Sequence, residues 1–156
     1  MKKFLLVAVA LVAGVVTAFA QPRAIGGRLG YGVEASYQHG LGDNMLSIDA
    51  GLFGFYGVEA VVTYDWIFPI SSWEHKGEWN WYAGVGGGFG WQWWSNCLTP
   101  GVAGRIGVEY DFWFPLQLSL DWRPVFGPAI VPGGGAGYNF GGLYAGAICW
   151  GVRYKF

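Results

Sequence analysis

Hydrophobic side chains alternate with small or polar ones along most of the chain beyond residue 20. Between Ile25 and Tyr37, for example, the odd positions are apolar or aromatic except at Gly27, whereas the even positions are glycine, serine or charged. A repeat of two residues places successive side chains on opposite faces of a β-strand, and a helix would repeat every three to four residues. We therefore predict seven strands, over the runs 25–37, 46–52, 58–66, 79–91, 102–111, 116–123 and 144–156.

Turn-forming residues separate these runs, most densely over 127–142. Strands of about 10 residues suit a barrel that crosses a membrane, which needs roughly 9 to 11 residues per strand. Such barrels have an even number of strands, so we expect an eighth. We place it within Gly127 to Phe140, although Pro128 and Pro132 suit edges and turns better than a central strand. The predicted fold class is all-β, a closed antiparallel transmembrane β-barrel of about eight strands.

The N-terminus has the pattern of a cleaved signal peptide. Lys2 and Lys3 precede an apolar region from Phe4 to Val16, and Ala18-Phe19-Ala20 matches a cleavage site, which makes Gln21 the first mature residue. A membrane-anchor helix is the alternative, but 17 apolar residues are at the short end of what spans a bilayer. The predicted domains are a signal peptide, 1–20, and an outer-membrane β-barrel, 21–156.

Composition favours the membrane over water as the surroundings of this barrel. Only 12% of the residues are charged and 19% are aromatic, whereas soluble domains are about 25% charged. The formal net charge is −1 and no basic stripe occurs, so a nucleic-acid partner is not expected. The alternative is a soluble β-fold whose core holds the tryptophans and tyrosines.

Aromatic residues near the strand ends are typical of the girdles that membrane barrels place at the two bilayer interfaces. The predicted girdle is Trp66, Trp79, Trp81, Trp91, Trp93, Tyr110, Trp113 and Tyr154.

The charged residues fall on the opposite face, which would line the lumen. Five acids and four arginines are close to balance, and unpaired charge is costly at low dielectric, so we predict an internal ion-pair network. An eight-stranded barrel is only wide enough for side chains, which argues against a wide pore and leaves a narrow leak open. The predicted network is Arg28, Glu34, Asp49, Glu59, Arg105, Glu109, Asp121, Arg123 and Arg153.

Four segments resemble small outer-membrane barrels of Bacteroidota, of the porin-like and OmpA–OmpX type. They are Arg23 to His39, Asn80-Trp81-Tyr82-Ala83-Gly84, Leu118 to Pro124 and the ending Gly151-Val152-Arg153-Tyr154-Lys155-Phe156. The resemblance implies an outer-membrane location with membrane lipid and the barrel-assembly machinery as partners, and no settled activity. It also implies that Tyr154 and Phe156 form the assembly signal. The chain departs from the family over Pro132 to Gly135 and Trp91 to Trp94.

Few residues suggest catalysis. His75 lies near Ser71, Ser72 and Glu74, and an activated nucleophile needs such a base nearby, but we interpret this segment as a polar loop and expect no enzyme activity. The glycines from 84 to 90 fail the phosphate-binding pattern.

No cofactor or metal site is expected, since no cysteine and histidine cluster has zinc-ligand spacing. Cys97 and Cys149 could form one disulfide or remain two free thiols.

Four functions follow as hypotheses. The leading one is a barrel with a structural or loop-mediated interaction role. A small porin, a lipid-modifying enzyme and a soluble periplasmic barrel are the alternatives.

Overall fold

A computed structural model describes residues 21–54, 56–73, 76–139 and 147–156, and the predicted signal peptide lies outside these residues. The regular secondary structure of the described residues is ten β-strands and one 3-10 turn at Ser71–Trp73. No helix in the described ranges is long and apolar enough to cross a bilayer. The strands are β1 Gln21–Leu29, β2 Val33–Leu41, β3 Asn44–Phe53, β4 Gly57–Pro69, β5 Glu78–Gln92, β6 Cys97–Asp111, β7 Gln117–Trp122, β8 Val125–Ile130, β9 Ala136–Asn139 and β10 Ile148–Lys155.

Eight of these strands close an antiparallel barrel. Strands β1 to β7 pair in chain order, and β10 completes the ring by pairing with both β7 and β1. Strand β8 continues the direction of β7 after Pro124 and pairs with the N-terminal half of β6, while β9 pairs with β8. The predicted all-β architecture, a closed antiparallel barrel of eight strands, is therefore confirmed.

The position predicted for the eighth strand was wrong. Residues 127–139 contribute part of β8 and the short β9, neither of which closes the ring, and Phe140 lies outside the described residues. The extra strand comes instead from the run 25–37, which is a hairpin with its turn at 30–32.

Alternation could not reveal that turn. Residues directly opposite each other in an antiparallel pair share a face, and Leu29 lies opposite Val33. Both are odd positions, so the apolar pattern continues through the hairpin unbroken. Gly32 makes the turn possible, because a Cβ there would collide with the backbone carbonyl of Leu52.

The strand register fixes how far the strands tilt. The pairing followed from Leu29 through β2, β3 and β4 reaches Trp91 on β5, whereas the pairing followed through β10, β7 and β6 reaches Trp81. The barrel therefore has a stagger of ten residues around eight strands. With a rise of ~3.3 Å per residue and a strand spacing of ~4.8 Å, this stagger corresponds to a tilt of about 40°.

The two ends of the barrel differ in charge. We call the end that holds Phe156 the C-terminal end and the other the distal end. Among the described residues outside the lumen, Asp43, Lys76 and Glu78 all lie at the C-terminal end. Apart from Arg123, whose side chain enters the lumen, the described connections at the distal end contain no charged residue.

Candidate functional site

The barrel has an inverted distribution of polarity. Arginine and carboxylate side chains are buried inside, and large apolar side chains are exposed on the outer wall. No residue that faces outward from the eight described barrel strands is charged. The charged lumen is thus the most unusual chemical feature of the described chain, and it is the candidate site.

Two arginines meet at its centre on a shared aspartate. Arg28 and Arg105 both donate to Asp121, with 3.1 Å between Arg105 Nη2 and Asp121 Oδ2. Arg28 also contacts Glu34 at 2.6 Å and Asp49 at 3.0 Å. Each guanidinium has several donors in a fixed plane, so one arginine can hold carboxylates from different strands together.

A third arginine extends these contacts toward the distal end. Arg123 lies 2.6 Å from Glu34, 3.1 Å from Asp49 and 2.7 Å from Glu59. Arg105 also reaches Asp65 at 3.4 Å and Asp49 at 3.5 Å. We call the resulting continuous set the central cluster, and its members are Arg28, Glu34, Asp49, Glu59, Asp65, Arg105, Asp121 and Arg123.

Tyr82 supports the central cluster from β5. Its hydroxyl donates to Asp121 at 3.0 Å, and its ring centroid lies 5.1 Å from the guanidinium carbon of Arg105. Cation–π contact adds to the ion pairs when the partners are desolvated, as these fully buried side chains are.

A second, smaller cluster lies toward the C-terminal end. Arg23 pairs with Glu109 and lies 3.6 Å from Asp111, which Lys155 approaches to 3.7 Å. Asn80 also donates to Glu109, at 3.5 Å.

The structure distributes the predicted lumen residues over these clusters unequally. Seven of them belong to the central cluster, and Glu109 belongs to the second. Arg153 pairs with no carboxylate in the described ranges. It donates instead to Ser36 at 2.8 Å, Ser119 at 2.7 Å and Gln117 at 3.3 Å, and it thereby links β10 to β2 and β7.

Four charged members were absent from the prediction, namely Arg23, Asp65, Asp111 and Lys155. Asp65, Asp111 and Lys155 lie on the polar face of their strands, so alternation alone could have identified them. Arg23 is different, because a register shift between Pro22 and Ala24 turns this odd-numbered residue into the lumen. A β-bulge breaks the period of two, so the sequence pattern gave no signal for Arg23.

The lumen side chains are suited to holding the barrel strands together rather than to acid–base chemistry. Each carboxylate of the central cluster contacts at least one arginine, so none is a free base. The contributing residues come from β1, β2, β3, β4, β6 and the end of β7, while Tyr82 and Arg153 add β5 and β10. All eight barrel strands are therefore joined through side chains as well as through backbone hydrogen bonds.

The predicted girdle residues lie at both ends of the outer wall. Trp91 and Trp93 lie at the distal end, and the other six lie at the C-terminal end. There Trp81 stacks on Phe68 with ring centroids 4.3 Å apart, and Trp79 lies 4.8 Å from Tyr110. Further exposed aromatic residues that the predicted girdle omitted include Tyr31, Tyr56, Trp73, Trp94, Phe114 and Trp150.

The cysteines are separate free thiols. Cys149 lies opposite Asp121, which lies opposite Gly107 on β6, and Cys97 is ten residues farther along that strand. Ten residues of strand span about 33 Å, far beyond the roughly 7 Å limit between the Cα atoms of a disulfide.

The structure describes only part of the remaining candidate set around His75. Glu74 and His75 lie outside the described residues, and Ser71 and Ser72 are exposed in the 3-10 turn. Over the described ranges, no group of three His, Cys, Asp or Glu residues could hold a metal ion.

Inward glycines make room for the buried charges, and this can be tested on one strand. A methyl group on Gly84 would collide with the carboxylate of Asp65, whereas a methyl group on the outward Gly87 would meet only a backbone carbonyl at 3.6 Å. We expect Gly84→Ala to lower the free energy of unfolding by about 1–3 kcal/mol, the usual cost of overpacking. Urea titration of the refolded barrel measures this, and Gly87→Ala is the matched control. Equal midpoints for the two variants would show that the lumen is not tightly packed.

Comparison of the chain with protein-family models, curated proteins and solved structures gave no match.

Proposed function

We propose that this chain is an outer-membrane β-barrel protein with a structural or loop-mediated interaction role, its lumen closed by the central cluster. The observation that carries the proposal is the inverted polarity of the barrel. A soluble barrel buries its apolar face and exposes charge, because burial of apolar surface drives its folding. Here the exposed outer wall is apolar and uncharged, which suits hydrocarbon as the solvent.

The height of the apolar wall supports a membrane location. Trp81 and Trp91 are ten residues apart on the outward face of β5, and Ala83, Val85, Gly87 and Phe89 lie between them. Ten residues at ~3.3 Å each and a tilt of about 40° give an axial height of roughly 25 Å, the height of the apolar band of outer-membrane barrels. Tryptophan at both edges of such a band is typical of the two interfaces.

Closure of the barrel backbone supports the same proposal. In hydrocarbon every backbone donor and acceptor needs a protein partner, and a closed ring of strands supplies one along its whole circumference. The eight paired strands of this chain meet that requirement.

The central cluster favours a closed lumen over a small porin. Arg28, Tyr82 and Arg105 occupy the middle of the barrel and are almost wholly inaccessible to solvent. Moving them aside would separate buried charges from their partners, which is costly. We therefore propose that the barrel does not conduct ions at rest and has no catalytic role.

Export and assembly complete the proposal. Residues 1–20 would direct secretion, and Tyr154 and Phe156 would be read by the barrel-assembly machinery. Both aromatic side chains are exposed at the C-terminal end, with ring centroids 5.4 Å apart, so they are accessible to such a partner. The resemblance to barrels of Bacteroidota supports this location.

Fractionation combined with conductance tests the proposal. We expect the protein to remain with the outer membrane after a urea wash and to need detergent for extraction. In a planar bilayer the purified barrel should be silent, whereas a variant with Tyr82→Ala and Arg105→Ala should open a narrow path. Steady conductance by the unaltered protein would favour the porin, and recovery in the soluble periplasm would reject the membrane location.

A further inference from the structure

An open cleft of about 610 Å³ lies at the C-terminal end of the barrel, next to the aromatic girdle. This volume is within the usual range of small-molecule sites, roughly 300–1,000 Å³. The lining of the cleft includes the charged residues Lys76, Glu78, Asp111 and Lys155 and the aromatic residues Phe112 and Phe114.

The cleft presents charges of both signs. Across the described chain Lys76 and Glu78 have no ion-pair partner, so both are available to a ligand. Lys155 contacts only Asp111, at 3.7 Å, and Asp111 is also held by Arg23. Two ammonium groups and one free carboxylate therefore line the same opening.

Aromatic rings in mutual contact border these charges. Trp79 contacts Trp73 at 5.5 Å and Tyr110 at 4.8 Å between ring centroids, and Tyr110 contacts Phe112 at 4.5 Å. Phe112 then contacts Phe114 at 4.9 Å, and Phe114 contacts Trp113 at 5.2 Å. Glu78 directly precedes Trp79 and Lys155 directly follows Tyr154, so the charges lie one residue beyond the girdle.

The backbone at Lys76 is unusual for a residue with a side chain. Its φ is 111°, a region that favours glycine, and such strain often marks functional positions. The neighbouring Gly77 lies against Tyr110, where an added Cβ would come within 2.5 Å of the hydroxyl oxygen.

We propose that this cleft binds the headgroup of a phosphatidylethanolamine-type phospholipid. Lys76 and Lys155 would donate to the phosphate, Glu78 would accept from the ammonium group, and the acyl chains would follow the aromatic rings of the outer wall. A purely anionic headgroup would leave Glu78 facing negative charge, whereas a zwitterion satisfies both signs. This inference rests on the proposed function, since only a barrel in a bilayer brings lipid headgroups to this level.

Native mass spectrometry of the barrel released from maltoside micelles tests the inference. The micelles contain equal amounts of phosphatidylethanolamine, phosphatidylcholine and phosphatidylglycerol with the same acyl chains. We expect about tenfold preference for ethanolamine over choline, since a quaternary ammonium cannot donate a hydrogen bond to Glu78. Glu78→Gln should reduce this preference to about threefold, because the amide keeps an accepting oxygen but loses the charge that strengthens the hydrogen bond.

A second variant separates the two contacts. Lys76→Gly removes the charge and places glycine at the positive φ, so the barrel should fold as before. Retention of both zwitterionic lipids should fall about tenfold while their ratio is kept. Asp43→Asn, a charge change at the same end outside the cleft, is the control and should alter neither quantity.

Migration of unheated samples on a detergent gel shows that each barrel is folded. Equal retention of the three lipids by the folded protein, or unchanged selectivity in Glu78→Gln, would overturn the inference alone. Absence of any folded barrel form in the unaltered protein would instead contradict the proposed function.

Discussion

Replacing Arg105 with methionine should lower the free energy of unfolding by about 3–5 kcal/mol, the usual cost of breaking a buried ion pair from one side. Arg105 is the only arginine within 4.0 Å of Asp65 among the described residues, at 3.4 Å, so the variant leaves that buried carboxylate without a counter-charge. Methionine keeps the apolar stem of Arg105 but lacks the guanidinium, so the loss combines the broken ion pairs with the space that the guanidinium leaves. Urea-induced unfolding of the refolded barrel, followed by tryptophan fluorescence, gives the value.

A second substitution should restore part of this stability. Asp65→Asn removes the carboxylate charge that Arg105→Met leaves unpaired. It keeps an oxygen that can accept a hydrogen bond from Ser47, whose hydroxyl lies 2.7 Å from Asp65 Oδ2. The double variant should therefore be more stable than Arg105→Met alone. Asp43→Asn, in an exposed turn, should change stability by no more than about 0.5 kcal/mol. A single variant Arg105→Met as stable as that control would show that the central cluster does not hold the barrel together.

A charge placed on the outer wall should be nearly as costly. Val85 faces outward from β5, is 56% exposed, and lies about midway between Trp81 and Trp91. In a bilayer, arginine at this height should destabilise the barrel by about 2–4 kcal/mol, because lipid cannot solvate it. Equilibrium unfolding from lipid vesicles is the appropriate measurement.

The matched control is Ser95→Arg, in the distal turn between β5 and β6, where water is expected and the cost should be about 0–1 kcal/mol. In water both positions would tolerate arginine, since both are exposed. Equal costs for the two substitutions would therefore mean that hydrocarbon does not surround the wall.

Alternation carried the prediction of the fold because each strand has one apolar and one polar face. It predicted an all-β fold, seven of its strand runs and the face on which the charges lie, whereas the eighth strand was expected only because such barrels have an even number of strands. It failed at a turn that keeps the two-residue period and at a bulge that breaks it. The turn at 30–32 leaves the apolar residues at odd positions in both strands, so alternation did not reveal it. The bulge before Ala24 places the odd-numbered Arg23 in the lumen, so alternation did not identify that residue.

The pairing of charges was beyond the sequence for a different reason. Arg28 meets Asp121 although 93 residues separate them, because the stagger of the strands brings β1 and β7 to the same height inside the lumen. Only the register fixes that stagger, and it depends on every turn and bulge around the ring. The same register explains why Arg153, predicted as part of the network, lies among Ser36, Gln117 and Ser119 instead.

Migration of the outer-membrane fraction on a detergent gel, with and without heating, tests the central claim most directly. A closed barrel has no free strand edge at which detergent can begin to separate it, so it stays compact until it is boiled. We expect a faster band in the unheated outer-membrane sample that moves to the position of the unfolded chain after heating. A single band at one position in both samples, with the protein found in the soluble periplasm, would contradict a membrane barrel.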